Sequence, residues 1–309
     1  MSTTAPSATP ARLLADLLGA RLSPGAQGFW RGAVEEARGE APPERIGALL
    51  ALASRHARDR TALDPGGEAL ARAAEFVPGW NPERWRLLET LRVTILLAWP
   101  ALDAAAGENA VGALEELFRY ADEGEQRALY RALALLEDPG RFRDRAAEGC
   151  RTNILGVFEA DVLDTPYPAR HFDDVAFHQA VLKSLFLGAP LWRLYGLDSR
   201  LSPELARMAL DYTDERRSAG RDVPPEVWLA LGAHGGQRAV EAIERELDPA
   251  NPNTLGRIGA IHALGRAGHR ERLVALHESE IDPEARAAVL AALDHPHTSP
   301  ELAFLHPRD

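Results

Sequence analysis

The sequence predicts an all-α fold of short helices packed in pairs, and three observations predict it. A capping residue followed by Pro, often then Glu, recurs: Asp64-Pro65, Asn81-Pro82-Glu83, Ser202-Pro203-Glu204, Asp282-Pro283-Glu284 and Ser299-Pro300-Glu301. Between such signals the apolar residues fall three and four apart, the helical period. No stretch combines alternating polarity with the Val, Ile and Thr content and Asn-Gly or Asp-Gly turns of hairpins.

The start signal has a direct cause. The cap side chain accepts from free N–H groups of the first turn, proline gives up a donor that had no partner, and Glu suits the positive helix end. In the N-terminal half the period predicts helices over 11–22, 26–38, 43–59, 68–77, 82–98, 108–120 and 123–136. The first carries Leu13, Leu14, Leu17 and Leu18 on one face. After Ser202, Leu205, Met208, Ala209 and Tyr212 share a face opposite Arg207, Asp211 and Glu215.

The C-terminal third predicts helices over Pro225–Leu231, Gln237–Leu247, Thr254–Ala267, Arg270–His277 and Pro283–Leu293, with glycines at the bends. Small residues line their contact faces, as in a HEAT-like α-solenoid. The Gly232-Ala233-His234-Gly235-Gly236 run reads as such a bend, not as a phosphate loop. Three regions are expected within one continuous helical unit: 1–149, a central core at 150–222, and the helix pairs of 223–309.

Composition narrows the function. The chain has 309 residues, 46% hydrophobic and 26% charged, which is ordinary globular composition. A net charge of −11 removes the field that holds a phosphate backbone, so nucleic acid is not an expected partner. The Arg84 to Arg92 stretch and Glu215-Arg216-Arg217 read as solvated helix faces. Met1 to Pro10 reads as a frayed start with no signal-peptide pattern. The longest apolar run, Val181 to Trp192, is too short to cross a bilayer and is broken by Lys183, Ser184 and Pro190. Cys150 is the only cysteine, which rules out an internal disulfide and fits a cytoplasmic address. A helix after Cys150 would lower its thiol pKa, yet no nucleophile signature accompanies it. His171 and His178 lie seven apart, as do His262 and His269, but neither pair has an acidic third ligand at short range, and His295-Pro296-His297 reads as part of a mobile end, so no metal and no cofactor are expected.

The texture changes at 150–222. A helix expected over Arg151 to Leu163 sets Glu159 in an apolar run and places Thr152 on its face. A second, over Val175 to Leu187, sets Lys183 in another, with Gln179 one turn before. A charge in such a run must be paired, solvated through a cleft or shifted in pKa. The connector from Thr165 to Phe172 is stiffened by Pro166 and Pro168. Arg151, Asn153, Glu159, Tyr167, Arg170, His171 and Lys183 are therefore expected to form a polar pocket on a hydrophobic wall. Singly, each also has a plainer reading as a cap, an ion pair or a solvated residue.

Several stretches here resemble the EboA family. They are Arg151-Thr152-Asn153, Phe158-Glu159-Ala160, Pro166-Tyr167-Pro168, Arg170-His171-Phe172 and Val181 to Phe186. Leu194 to Asp198 and Asp211 to Gly220 follow the same pattern, whereas His178 stands where the family pattern has Asn. The resemblance implies a helical protein of a secondary-metabolite gene cluster. Its neighbours resemble a UbiA-type prenyltransferase, a TatD-type metal hydrolase, a sugar-isomerase-like barrel and a dehydroquinate-synthase-like protein. It also implies work on a small metabolite near a membrane face, with partner proteins from the same cluster.

Three functions follow from these residues. The leading one is a non-catalytic accessory protein that holds a small polar or aromatic metabolite, with Arg170 and Lys183 taking a negative group. In the second, an enzyme uses Glu159 or His171 as base and Lys183 as an amine catalyst. The third is a protein-binding scaffold built on the C-terminal helix pairs.

Overall fold

Local cap chemistry sets several helix starts in the computed structural model, which describes residues 9–248 and 250–294. A first unit ends at Asp173. It carries α1 (Pro10–Arg21), α2 (Pro24–Arg38), α3 (Pro43–Ala53), α4 (Gly66–Phe76), α5 (Leu87–Leu96), α6 (Asn109–Tyr120), α7 (Glu123–Leu133), α8 (Arg143–Gly149), α9 (Leu155–Val162) and α10 (Tyr167–His171). A second unit begins at Asp174. It carries α11 (Asp174–Leu187), α12 (Pro203–Ser218), α13 (Gly236–Glu246), α14 (Thr254–Arg266), α15 (Arg270–Ser279) and α16 (Pro283–Asp294). Among the described residues there is no strand, only one isolated antiparallel bridge between Ala62 and Arg86. The all-α expectation holds.

The Ser202 and Asp282 caps form as expected: the Ser202 hydroxyl accepts from Leu205 N–H at 3.1 Å and the Asp282 carboxylate from Ala285 N–H at 3.0 Å. Thr9 and Ser23, also followed by Pro, cap α1 and α2 in the same way. The signal at Asn81 marks a turn instead. Its Oδ1 accepts from Glu83 N–H, and the chain then bonds back through Trp85 O and Leu87 N–H to Leu63 and Thr61, which holds off the expected helix until Leu87. At Asp64 the backbone enters the left-handed region (φ 48°), so Pro65 rather than Asp64 is the residue before α4. Ser299-Pro300-Glu301 and His295-Pro296-His297 lie outside the described residues.

In the first unit α5 is the central element. All ten of its residues are buried, and it packs against α1, α2, α3 and α7. Each fully buried Leu or Ile there contributes about 1.5–3 kcal/mol. The burial also corrects the reading of Arg84 to Arg92 as a solvated face, because Glu89 and Arg92 lie inside.

In the second unit α14 holds the corresponding place, buried from Gly256 to Gly265 and packed against α13, α15, α16 and a 3₁₀ turn at Pro225–Ala230. That turn stands where an α-helix was expected. Gly259 allows it to approach, since a Cβ there would run into Pro225 O and the Trp228 ring. Arg217, read as solvated, pairs with buried Glu246 at 2.9 Å.

Candidate functional site

The central segment folds in shorter pieces than its sequence predicts. Thr152 Oγ1 accepts from Ile154 N–H at 3.1 Å, a turn that delays α9 to Leu155. Arg151, Thr152 and Asn153 therefore precede the helix, and Thr152 does not share a helical face with Glu159. Arg151 is exposed and pairs with Glu148 at 2.5 Å, Asn153 is exposed, and Glu159 is half-buried on α9.

The expected stiff connector contains the single turn of α10, and three predicted residues meet there. Tyr167 is only 1% exposed and its hydroxyl donates to Pro139 O at 2.6 Å. Its ring lies 4.8 Å from that of His171 and 6.2 Å from that of Phe172. Tyr167 thus pins the corner instead of reaching solvent. Arg170 is exposed and donates to Pro78 O at 2.8 Å, while Asn81 N–H donates to Asp164 O at 2.9 Å. These bonds clamp the loop before α5 onto α10 and the turn that precedes it. His171 is half-buried, and burial holds its imidazole below the usual pKa, helped by Arg170 and opposed by Asp138. Lys183 belongs to the second unit, on α11, with its ammonium 5.2 Å from the centre of the Phe186 ring. Near it on the same helix, His178 is buried and meets the Ser202 hydroxyl at 3.2 Å.

Behind the corner lies an acid that the sequence reading missed. Asp161 is 2% exposed; the Cys150 thiol donates to its Oδ2 at 3.6 Å, and its Oδ1 has no hydrogen-bond partner. Burial pushes this carboxyl well above the usual range, with the Cys150 contact acting weakly the other way. Burial first and Asp161 second raise the Cys150 thiol, so the expectation that a helix start lowers it is corrected. The Tyr130 and Tyr167 phenols rise for the same two reasons. Gly149 makes the space. A Cβ there would stand 2.6 Å from Asp161 Oδ2 and 2.7 Å from the Tyr130 ring. A signal for Asp161 existed in the helical period, which puts it one turn after Val157 and Phe158, both buried.

A second polar centre joins α5 to α7. Glu89 Oε1 accepts from Arg127 Nε at 3.0 Å and lies 3.5 Å from Arg131 Nε, while its Oε2 accepts from Arg86 N–H at the start of α5. Arg131 also lies over the Trp85 ring at 5.4 Å. Arg92 donates to Leu50 O at 2.9 Å and faces Glu125 at 3.6 Å.

The surface bears several cavities. One of about 570 Å³ lies among α1, α2 and α5, and one of about 330 Å³ between α3 and α6. In the second unit, one of about 300 Å³ is lined by Leu185, Arg216 and Pro224, and one of about 780 Å³ by the start of α15. None of these is lined by any of the seven predicted site residues. Among the described residues no group of three or more His, Cys, Asp or Glu could hold a metal ion, and no helix is long and apolar enough to cross a membrane.

No curated protein and no solved structure matches the chain. The family model described as metabolite traffic protein EboA matches residues 22–232, extending well beyond the 150–222 core, and on that match the chain belongs to the EboA family.

Proposed function

We propose that the chain is a non-catalytic accessory protein that binds a small polar or aromatic metabolite and passes it on. The observation that carries this reading is a division of labour within the central segment. Two groups suited to covalent or proton-transfer chemistry are locked inside: the Cys150 thiol is raised and bonded to Asp161, and the Tyr167 hydroxyl is bonded to Pro139 O. The groups suited to recognition stand outward on a rigid mount. Arg170 makes one hydrogen bond among the described residues, to Pro78 O, which orients a guanidinium whose other donors are open to an anion.

In this reading Arg170, His171, Glu159, Asn153 and Arg151 are the ligand-facing candidates of the first unit, and Tyr167 packs against His171. Lys183 is a separate candidate on the second unit. The family description supports a small-molecule role of this kind. A cytoplasmic address, partner proteins from the same gene cluster and a HEAT-like arrangement of the last helices belong to the same proposal. The contacts of α13 with α14, α14 with α15 and α15 with α16 support the last of these.

The test is native mass spectrometry on protein purified gently from its own host. A small-molecule mass carried by the wild type, lost in Arg170→Ala and measured separately in Lys183→Ala, is the expected result. A clean apo mass in the wild type sinks the reading, and so does conversion of the carried molecule to a product.

A further inference from the structure

The cleft among α1, α2 and α5 differs in charge from the molecule around it. The chain carries a net charge of −11, yet this cleft gathers Arg12, Arg31 and Arg38 around Trp30, Leu97 and Ala98. Its volume of about 570 Å³ is that of a small-molecule site. The indole of Trp30 is fixed: its Nε1 donates to Thr94 Oγ1 at 2.8 Å, and the Thr94 hydroxyl donates to Leu91 O at 2.8 Å. A ring held in this way is a ready stacking surface, with no rotamer freedom left to lose on binding.

The arginines are free to serve a ligand in different degrees. Arg31 donates to the neutral amide oxygen of Gln27 at 3.2 Å and meets no carboxylate among the described residues. Arg12 pairs with Asp16 at 3.1 Å and Arg38 with Glu35 at 3.6 Å. Both pairs are exposed, and such pairs are weak enough to rearrange. The two acids of the lining are Glu35, already facing Arg38, and Asp103. Burial and Glu137 raise the Asp103 carboxyl, with Arg141 opposing. Three guanidiniums thus stand against Glu35, Asp103 and the neighbouring Asp16, and Arg31 is the one that meets none of these acids, beside a fixed aromatic face and an apolar floor.

We propose that this cleft binds a flat aromatic molecule bearing one carboxylate, with the ring on Trp30 and the carboxylate on Arg31 and Arg38. A guanidinium offers a planar fork that matches a carboxylate at two points. The proposal concerns a different place from the α10 corner and stands without it.

The test is calorimetric titration of the full chain with 4-phenylbenzoate at low salt, beside 4-phenylbenzyl alcohol. The expected result is binding of the carboxylate, with the alcohol, Arg31→Gln and Arg38→Gln each weaker by about tenfold or more. Both arginines are exposed, so unchanged melting curves accompany the loss. Absence of carboxylate binding, equal affinity for the alcohol, or wild-type affinity in Arg31→Gln overturns the proposal.

Discussion

Glu89 and Asp161 are buried to the same extent in the first unit, 2% exposed each, and the protein treats them in opposite ways. Glu89 sits between α5 and α7 with two guanidiniums against it and a backbone N–H at its second oxygen. Asp161 sits between α8, α9 and α7 with a thiol, two phenols nearby and an oxygen that no donor reaches. The first carboxyl is part of an ion pair. The second has its carboxyl pushed well above the usual range, because an isolated buried charge costs far more than a neutral acid. Burial alone therefore does not define an acid's role; the charge of its neighbours does.

The largest effect that would sharpen this contrast comes from removing the paired acid. Glu89→Ala leaves buried Arg131 without its anion and Arg127 with only the exposed Asp59 at 3.4 Å, and is expected to lower unfolding free energy in urea by about 3–5 kcal/mol. A loss below about 1 kcal/mol would show that Asp59 and water suffice to hold the two arginines.

The next effect is steric. Gly149→Ala puts a methyl group 2.6 Å from Asp161 Oδ2 and 2.7 Å from the Tyr130 ring, and is expected to cost about 1–3 kcal/mol through displacement of that packing. An unchanged melting temperature would mean that α8 shifts at no cost and that the Asp161 chamber is loose.

The smallest effect is a slope. The folded-state pKa of Asp161 is raised above its ordinary value of 3.8, so above that value the unfolded chain releases a proton that the folded chain keeps. Stability from this group is thus fully present at low pH and falls as pH rises toward the folded pKa, by about 1.4 kcal/mol per pH unit. Asp161→Asn removes the titration, and over the first pH unit above its ordinary value the wild-type minus variant difference is expected to fall along that slope. A flat difference means that Asp161 is ionised in the folded protein.

How much of this was legible in sequence depends on how local each cause is. Ser202 and Asp282 were readable because a cap and its N–H partners lie within three residues. Asn81 misled for a related reason. Its side chain makes a local turn as readily as a cap, and the choice was made by the bridge to Thr61 and Leu63, about twenty residues away. In the central segment the apolar run around Glu159 signalled a buried acid but not which one. Glu159 is half-buried, whereas Asp161 shares the inner face with Val157 and Phe158. Arg92 and Glu89 looked like a solvated face because the charged partners that make their burial tolerable, Arg127 and Glu125, lie more than thirty residues further on.

By itself the sequence determined the helical class, many of the helix positions, the membership signalled by the 150–222 core and the position of Tyr167, Arg170 and His171 on one stiff connector. These follow from periodicity, caps and proline, which act over a few residues. Only the tertiary structure decided which charges are inside, which acid is paired and where the cavities open. Each of those is set by the desolvation of a group together with partners brought from distant parts of the chain, and that energy does not exist until the helices pack.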